Sequence, residues 1–569
     1  MVTRGIRTWT AAGLTAGLVA AAVLATAPAQ AASGHVYYVP VSRSLVVAGH
    51  GYGHGHGMSQ YGAEGAAREG KSYRQIVRFY YPGTTWGTNR DLVRVLVTGD
   101  YTSGLQVRAT AGLTLRDLQS RALSTLPARS GRDSWRLKPG ARDRSVTVAQ
   151  FHDAKGWHTW RRLLGDGQFE AGGPLALVLP SGATTSYRGV LRAASPYAGA
   201  TVRDTVNVLP MDAYLRGVVA QEMPASWHTQ ALRAQAVAAR TYASYEQRLN
   251  RHRYYQLCDT TACQVYGGAS AETSTTDLAV AKTAGRVLLY GGHPAFTQFS
   301  SSSGGWTSYG GQPYLPAQRD PYDDWSGNGV HDWTTPISVT RLESTFPQLG
   351  TLDDIRVVAR DGHGAWGGRV NQVVLDGSDS AVALTGEDLR FMFGLRSTWF
   401  TFEPTPIITK WRQLGGAKSP LGRPTSPEVP VAGAGRTTGA RQLFDNGRAF
   451  WTRADGATAL SGAVLARYRK DGGPGSRFGF PRTSVLRTSE GHGRKTGLDH
   501  GMILWSAPTG AHSLYGRVLI AYRKHHLSGG RLGYPLTSVA ATDTTESAHF
   551  QGGTVVLDKR TGKLTITYR

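Results

Sequence analysis

The chain contains 569 residues, which is enough for several domains that each bury their own core. Its 63 Lys and Arg residues outnumber 39 Asp and Glu residues, so the formal net charge is +24 and polyanions are the expected partners. Beyond residue 31 no stretch approaches the roughly 20 apolar residues of a membrane-spanning helix, so we expect no transmembrane segment.

The first 31 residues have the pattern of a secretory signal peptide. Arg4 and Arg7 precede a run of Ala, Leu and Val, and the run ends in the small-residue site Ala29-Gln30-Ala31. We expect cleavage after Ala31 and a secreted protein, either extracellular or associated with the cell wall. Secretion makes nucleic acid an unexpected partner, and the positive charge then favours an anionic cell envelope.

Residues 49–57 read GHGYGHGHG, a loop in which glycine allows backbones to approach closely. His50, His54 and His56 suggest a metal site, but no acidic or cysteine residue stands at ligand spacing, and we predict no metal there. A helix is predicted from Met58 to Arg68. The region 92–206 then alternates short apolar and period-2 runs with Gly, Ser and Asp, which predicts strands and a β-rich insert over about 88–195.

Residues 207–243 combine two helical patterns that meet at a proline. Leu215, Val218 and Val219 form one helix face, and the next position on that face is Glu222. Pro224 disfavours helix just before it, so Glu222 should end the first helix. A carboxyl group pressed against apolar surface resists ionisation, which makes Glu222 a candidate general acid. The alternative is a solvated glutamate at a helix end.

The second helix of this stretch is expected to begin after Ser226 as its N-cap and to carry an alanine-rich face. Gln235 and Arg240 interrupt the alanine-rich run. Further along, Cys258 and Cys263 are the two cysteines of the chain, and in a secreted protein they predict one small-loop disulfide.

A serine-rich segment, FSSSSGGWT, follows a predicted strand at RVLLY. Taken alone it predicts a flexible polar loop, and no histidine stands at a spacing that would make a serine nucleophile. Asp320, Asp323 and Asp324 lie shortly after it. They either place a second carboxylate near a site or cap turns, and the turn interpretation is preferred.

The C-terminal region repeats. One four-residue pattern occurs three times, as Leu421-Gly-Arg-Pro424, Phe478-Gly-Phe-Pro481 and Leu532-Gly-Tyr-Pro535. Other residues recur with the same spacing, among them Tyr468 with Tyr522 and Trp451 with Trp505, which indicates an internal repeat. These units resemble LGFP repeats of secreted bacterial envelope proteins. The resemblance implies binding of a cell-wall polymer. The aromatic residues either stack on sugars or form the core of each repeat.

The motif VNVLPMDAYLRGVVAQEMPASW with ALRAQAVAARTYA resembles the signature of the SpoIID/LytB family (stage II sporulation protein D and amidase enhancer). A second family signature matches the Gly/His-rich segment and YYPGT, and a third matches SSSSGGWT. The family's segment ending in LRSTWF, residues 395–400, normally precedes the Gly/His-rich segment but here lies over three hundred residues after it. We therefore expect a circularly rearranged domain.

The resemblance implies roles for named residues. Glu222 becomes the catalytic acid, because it is the glutamate of the family's Glu-Met-Pro tripeptide. The residues expected to bind substrate or line the groove are Ser301, Ser303, Gly304, Gly305, His54, His56 and Gln60. Independently of the resemblance, we expect Gln235 and Arg240 to orient Glu222 or to bind the substrate. Some family members hold zinc with two cysteines and two histidines. Here His252, Cys258 and Cys263 give three ligands where a closed site needs four, so no cofactor is expected and the disulfide is preferred.

The sequence as a whole predicts an α+β protein with a signal peptide at 1–31, a SpoIID-like catalytic domain at 32–404 and about three repeats at 405–569. The resemblance implies a lytic transglycosylase that cleaves peptidoglycan glycan strands between N-acetylmuramic acid and N-acetylglucosamine and leaves a 1,6-anhydro end. Two alternative functions would also act on the cell wall. One is a non-catalytic enhancer of an N-acetylmuramoyl-L-alanine amidase, and the other is a glycan-binding wall protein that acts through its repeats.

Overall fold

The structure is a computed structural model that describes residues 35–127, 131–434 and 438–569. The predicted signal peptide, residues 1–31, lies outside the described residues. The described ranges contain ten α-helices and 37 strands, which is the mixed α+β class that the sequence predicts. Over the same ranges, no helix combines the length and the apolar character that crossing a membrane requires.

The β-rich insert forms two antiparallel sheets that lead into the Glu222 helix. Its strands are β5 Leu92–Leu96, β6 Leu105–Arg108, β7 Thr114–Asp117, β8 Leu123–Thr125, β9 Ser134–Pro139, β10 Thr147–Asp153, β11 Gly156–Leu163, β12 Gly167–Glu170, β13 Leu175–Val178, β14 Thr184–Tyr187, β15 Val190–Ala194 and β16 Asp204–Pro210. One sheet has the order β11-β10-β9-β6-β13-β14. The other has the order β17-β5-β16-β15-β12-β7-β8, where β17 is Leu257–Cys258.

The insert is not a separate lobe. Apolar residues of both sheets pack in one buried cluster with the helix α3, Met211–Glu222, and with one face of the helix α4, Thr229–Leu249. Strand β16 runs directly into α3, so the sheet fixes the start of the helix that carries Glu222. The sequence could not show where the insert packs, because its alternating pattern gives a buried face without naming the partner.

The helix α4 is central because it is buried on two sides. Ala236, Ala239 and Ala243 face the sheet-and-α3 cluster, while Ala231 and Ala238 belong to a second cluster. The second cluster gathers the elements β3 Met58–Ser59, α1 Gln60–Arg68, α2 Tyr73–Tyr80, α5 Ser274–Lys282, β18 Arg286–Tyr290 and β20 Phe299–Ser300. The strands β4 Thr85–Thr88 and β19 His293–Pro294 pair with β18 on its two sides. Alanine on both faces permits the close helix approach that the sequence predicts.

The N-cap of α4 differs from the prediction. The helix begins after His228, whose side chain accepts a hydrogen bond from the backbone N–H of Gln230, rather than after Ser226. The backbone N–H of Trp227 donates to the carbonyl of Pro224 at 3.0 Å, and this turn delays the first helical residue. The backbone N–H of His228 donates to Glu64 of α1 at 2.7 Å, which attaches the new helix start to the Gly/His-rich segment.

A third cluster joins the two ends of the predicted catalytic domain. It contains β1 His35–Tyr38, β2 Ser44–His50, β21 Asp332–Ser338, α6 Val339–Thr345, β22 Leu352–Arg360, β23 Val370–Gly377, β24 Ala381–Thr385, α7 Gly386–Phe393 and β25 Phe400–Phe402. The strand order is β1-β22-β23-β24 in one sheet and β21-β2-β25 in the other.

The pairing of β2 with β25 bears on the predicted rearrangement. Phe402 lies opposite Val47 and Phe400 lies opposite Gly49 in an antiparallel register. The paired ends meet in space, so that a short turn from residue 403 to residue 45 would close the two strands into a hairpin. The circular rearrangement itself stays a prediction.

Three repeats of helix, turn and four-stranded sheet follow. Their elements are α8 Pro406–Gln413 with β26 Val429–Ala432, β27 Thr438–Phe444, β28 Gly447–Thr452 and β29 Gly456–Ser461; α9 Gly462–Lys470 with β30 Leu486–Arg487, β31 Gly493–Leu498, β32 Gly501–Ser506 and β33 Gly510–Leu514; and α10 Gly516–Lys524 with β34 Ala540–Ala541, β35 Thr545–Phe550, β36 Gly553–Asp558 and β37 Leu564–Tyr568. Each sheet is antiparallel in sequential order.

The repeat aromatics serve the core of each unit. The Tyr468 hydroxyl donates to the carbonyl of Gly479, and the Tyr522 hydroxyl donates to the carbonyl of Gly533, both at 2.6 Å. The φ angles of these two glycines are +68° and +65°, which favours glycine in the turn. Tyr468 and Tyr522 are fully buried, so the core interpretation holds for them and not the sugar-stacking one.

Candidate functional site

Glu222 is the last residue of α3, as the sequence predicts. Met223 leaves the helix with φ −133° before Pro224, and the residues that bury α3 include Tyr214, Val218 and Val219. The carboxyl group of Glu222 therefore leaves the helix at the edge of an apolar cluster rather than in open solvent.

Two donors hold the carboxyl group of Glu222. The Gln60 side-chain amide donates to Oε2 and the backbone N–H of Val265 donates to Oε1, each at 3.2 Å. Gln60 is the first residue of α1 and is 7% exposed, so it is a fixed partner. Within the described ranges no cation forms an ion pair with Glu222.

Burial raises the pKa of Glu222 above the usual range of a glutamate, and the hydrogen bonds from Val265 and Gln60 oppose the rise without cancelling it. A carboxyl group in this state keeps its proton to higher pH than a solvated one. It can act as a general acid, and its two donors can stabilise the carboxylate that remains after proton transfer.

The loop that presents Val265 is braced on both sides. The Gln264 amide donates to the carbonyl of Ala239 at 3.3 Å, and the Tyr266 hydroxyl donates to Asn207 at 2.7 Å. Just before this loop, Cys258 and Cys263 form a disulfide with a Cα–Cα distance of 5.4 Å. No sequence motif marks Val265, because a backbone donor leaves no signal in side-chain type.

The disulfide also bears on the zinc alternative. Both sulfur atoms are bonded to each other, which leaves no thiolate for a metal ion. His252 is exposed, and its Nε2 accepts a hydrogen bond from Arg251 at 2.8 Å. His252 lies outside the disulfide loop, and the expectation of no zinc ion here stays a prediction.

The serine loop differs from the prediction in the direction of its hydroxyl groups. Ser303 is 1% exposed and donates to Asp320 at 2.8 Å, while Ser302 donates to Asp323 at 2.7 Å. The backbone N–H of Gly304 donates to Asp323 at 2.9 Å. Ser303 and Gly304 are buried and hold the loop in shape, although Gly304 also lines a cavity beside the loop, and their predicted contact with substrate stays a prediction.

Gly304 also illustrates why the loop needs glycine. Its φ is +71°, and a Cβ there would lie 2.6 Å from the backbone nitrogen of Gly51. The Gly/His-rich segment and the serine loop thus touch backbone to backbone. Ser301 and Gly305 are half-buried and keep an accessible face, so their contact with substrate stays a prediction.

The aspartates behind the loop do more than cap turns. Asp320 and Asp323 are buried, and the Tyr80 hydroxyl donates to Asp320 at 2.9 Å. Burial, and then the neighbouring Asp323, raise the pKa of Asp320 above the usual range of an aspartate. Asp324 is exposed. The buried pair organises the serine loop from below, and the preference for turn capping missed this network.

His54 and His56 lie together but away from the contacts of Glu222. Their rings are 4.7 Å apart and line a cavity of about 220 Å³ with Arg369 and Glu387. Burial lowers the pKa of His54 to about 3, so this imidazole is neutral at ordinary pH. Their predicted contact with the glycan stays a prediction.

Arg240 makes structural contacts, and its predicted contact with substrate stays a prediction. It is fully buried, its Nε donates to Asp212 at 2.7 Å, and its other nitrogens donate to backbone carbonyls. Asp212 lies ten residues before Glu222 on α3, which at about 1.5 Å per residue separates them by about 15 Å. Arg240 thus anchors α4 to the opposite end of α3.

Gln235 is also fully buried, and neither its Oε1 nor its Nε2 has a hydrogen-bond partner among the described residues. An unpaired amide in a helix beside the site is unusual, since buried polar groups are nearly always paired. Its predicted contact with substrate stays a prediction.

Comparisons with known proteins identify the class. A sequence model of the family described as stage II sporulation protein (SpoIID) matches residues 200–290, which include Glu222, Arg240 and the disulfide. The LGFP repeat model matches residues 421–476 and 478–530. The chain therefore carries a SpoIID domain followed by LGFP repeats.

Individual relatives agree with this assignment. The chain is 41% identical to the amidase enhancer of Bacillus subtilis (strain 168) over 136 residues, which is 23% of this chain and 18% of that protein. It is 30% identical to stage II sporulation protein D of the same organism over 227 residues, 36% of this chain and 63% of the relative. For stage II sporulation protein D of Bacillus amyloliquefaciens the identity is 31% over 242 residues, 38% of this chain and 64% of the relative.

Proposed function

We propose that this protein is a secreted, cell-wall-associated lytic transglycosylase that cleaves peptidoglycan glycan strands. The observation that carries the proposal is Glu222, a carboxyl group whose burial raises its pKa and which two fixed donors orient, inside the segment that matches the SpoIID family. The LGFP repeats support attachment to the wall.

In the proposed reaction Glu222 serves twice. Its carboxyl proton passes to the glycosidic oxygen between N-acetylmuramic acid and N-acetylglucosamine as the bond from the muramic C1 to that oxygen breaks. The resulting carboxylate takes the proton of the muramic 6-hydroxyl, whose oxygen bonds to C1 and closes the 1,6-anhydro ring. The nucleophile belongs to the substrate, so the second carboxylate of an ordinary glycoside hydrolase is not required.

The test is mass spectrometry of products from peptide-free glycan incubated with wild type, Glu222→Gln and a matched control. Glu246→Gln makes the same chemical change at another half-buried glutamate whose pKa burial also raises. We expect anhydro-ended fragments from wild type and Glu246→Gln and none from Glu222→Gln. Equal product from all three proteins would refute the assignment.

A second candidate is a non-catalytic enhancer of a partner N-acetylmuramoyl-L-alanine amidase, and the 41% identity to the amidase enhancer favours it. On this alternative the wild type alone releases no anhydro product, and it accelerates stem-peptide release by a purified amidase. The Glu222→Gln variant would then accelerate the amidase as well as wild type does. A glycan-binding role carried by residues 405–569 alone predicts that neither activity is present.

A further inference from the structure

A group of three ligand-type side chains lies beside the serine loop, because two of its members line a cavity with Gly304 and Gly305. His50, His331 and Asp332 each offer one ligand atom, which is a ring nitrogen or a carboxylate oxygen. The three ligand atoms lie within 4.8 Å of one another. Neither Gln60 nor Val265, the donors to Glu222, lines the cavity that the two histidines share. The group is therefore a separate feature of the molecule.

The backbone brings the three residues together. His50 ends β2 and lies directly opposite Asp332, the first residue of β21, while His331 precedes Asp332 in the chain. The backbone N–H of Gly51 donates to the carbonyl of His331 at 2.8 Å, and that of His50 donates to the carbonyl of Trp399 at 2.9 Å. These bonds fix the positions from which the side chains converge.

The ring nitrogens of the two histidines lie close to the carboxylate oxygens of Asp332. His50 Nδ1 lies 2.6 Å from Asp332 Oδ1, and His331 Nδ1 lies 3.1 Å from Asp332 Oδ2. The first contact is an ion pair and the second is a hydrogen bond, while Nε2 of His50 is buried without a hydrogen-bond partner. A buried imidazole nitrogen with no partner is costly, and a metal ion bound by His50 would supply one.

The surroundings suit a metal ion with an open coordination position. The His50 ring is held against Trp366 at 4.5 Å and Trp399 at 4.8 Å. Both histidines line a cavity of about 380 Å³ that also contains Arg319 and Asp324. Two imidazoles and one carboxylate are ligands that Zn²⁺ accepts, and three protein ligands leave a fourth position for water or a bound oxygen.

We propose that His50, His331 and Asp332 form a site for a divalent transition-metal ion of the Zn²⁺ type, open toward the cavity beside Trp306. The site is independent of the proposed chemistry at Glu222. It is also independent of the cysteine pair, whose sulfur atoms form a disulfide.

The test titrates Zn²⁺ into the chelator-treated full chain by calorimetry, without an affinity tag. We expect one ion per chain in wild type, and affinity at least tenfold weaker in Asp332→Ala and in His331→Ala. The Asp332 side chain is 71% exposed, so its replacement leaves the fold intact. His363→Ala is the matched control, because its ring stacks on Trp306 at 5.3 Å but lies outside the group.

Two further measurements complete the design. A Cys258→Ser/Cys263→Ser variant should bind the ion as wild type does, and Co²⁺ should give visible bands that Asp332→Ala abolishes. Absence of Zn²⁺ binding by wild type would overturn the proposal and would show that Asp332 merely bridges two imidazoles. Unchanged binding by both ligand variants would overturn it as well, since the ion would then lie elsewhere.

Discussion

The side chain of Gln60 donates a hydrogen bond to the carboxyl group of Glu222 at 3.2 Å, although the two residues are 162 positions apart in sequence. This contact joins the helix that follows the Gly/His-rich segment to the end of the helix that carries the candidate acid. Two sequence signatures thereby become parts of one site.

Replacement of Gln60 by Met should change the pH dependence of glycan cleavage. The amide donor lowers the pKa of Glu222, so its loss should raise that pKa further and move the high-pH fall of the rate to higher pH. We also expect kcat to fall by about tenfold, because a hydrogen bond to a charged group is worth about 1.5–3 kcal/mol. The measurement is a pH–rate profile on peptide-free glycan.

Gln247→Met is the control for this profile. Gln247 also makes side-chain hydrogen bonds, to Leu92 and Asn89, but on the distal part of α4. An unchanged profile in Gln60→Met would show that Gln60 does not tune Glu222.

Glu222→Gln should make the folded chain more stable at neutral and alkaline pH. Burial raises the folded-state pKa of this carboxyl above its unfolded value, so its stabilising contribution is complete below about pH 4.3 and is lost as the pH rises through the folded-state pKa. The variant should melt a few degrees above wild type at about pH 8, with a smaller difference at about pH 4. Calorimetric melting at both pH values measures this. Identical melting temperatures of wild type and Glu222→Gln at the higher pH would mean that burial of the Glu222 carboxylate does not destabilise the fold.

Replacement of both cysteines by serine should weaken the fold modestly and the activity more strongly. A disulfide between residues five apart in sequence closes a small loop, worth about 2 kcal/mol in the chain-entropy account. Activity should fall further because the Val265 N–H that orients Glu222 follows this loop. Urea unfolding and glycan cleavage, with and without reductant, report the two effects. Reductant should affect wild type and leave the double variant unchanged; a response of the double variant would point to another cause.

Arg240→Met should lower the free energy of unfolding by about 3–5 kcal/mol, because it leaves Asp212 without its buried partner. The KM of the folded fraction should stay at the wild-type value, since Arg240 is fully buried and its nitrogens donate to groups of the protein. Arg216→Met is the matched control: Arg216 pairs with Asp277 at 3.8 Å with a 37% exposed side chain, and its loss should cost at most about 1 kcal/mol. A selective rise in KM for Arg240→Met would restore the substrate-binding role.

Charge reversal of the repeats should weaken wall binding. Arg412, Arg469 and Arg523 are exposed near the ends of the helices α8, α9 and α10. The triple change to Glu should reduce sedimentation of the protein with isolated cell walls, and about 1 M salt should remove the difference because the Debye length is then about 3 Å. Arg108, Arg121 and Arg142, exposed on the β-rich insert, provide a triple control. Equal losses from both triple variants would indicate non-specific attraction.

The sequence by itself determined the position of Glu222 at a helix end, the strand-rich nature of residues 92–206 and the period of the repeats. These features are local, because helical phase, proline and turn residues act within a few positions of the chain. The local pattern did not reveal that Arg240 pairs with Asp212, which lies about 15 Å from Glu222 along α3.

Only the tertiary structure decided which groups meet. It turned the hydroxyls of Ser302 and Ser303 toward buried aspartates, presented the backbone of Val265 to Glu222, and set His50 opposite Asp332. Such contacts join residues far apart in sequence, and no local preference encodes a partner that arrives from another segment. The physical reason is that burial and pairing depend on the packed neighbours of a side chain, which the fold alone supplies.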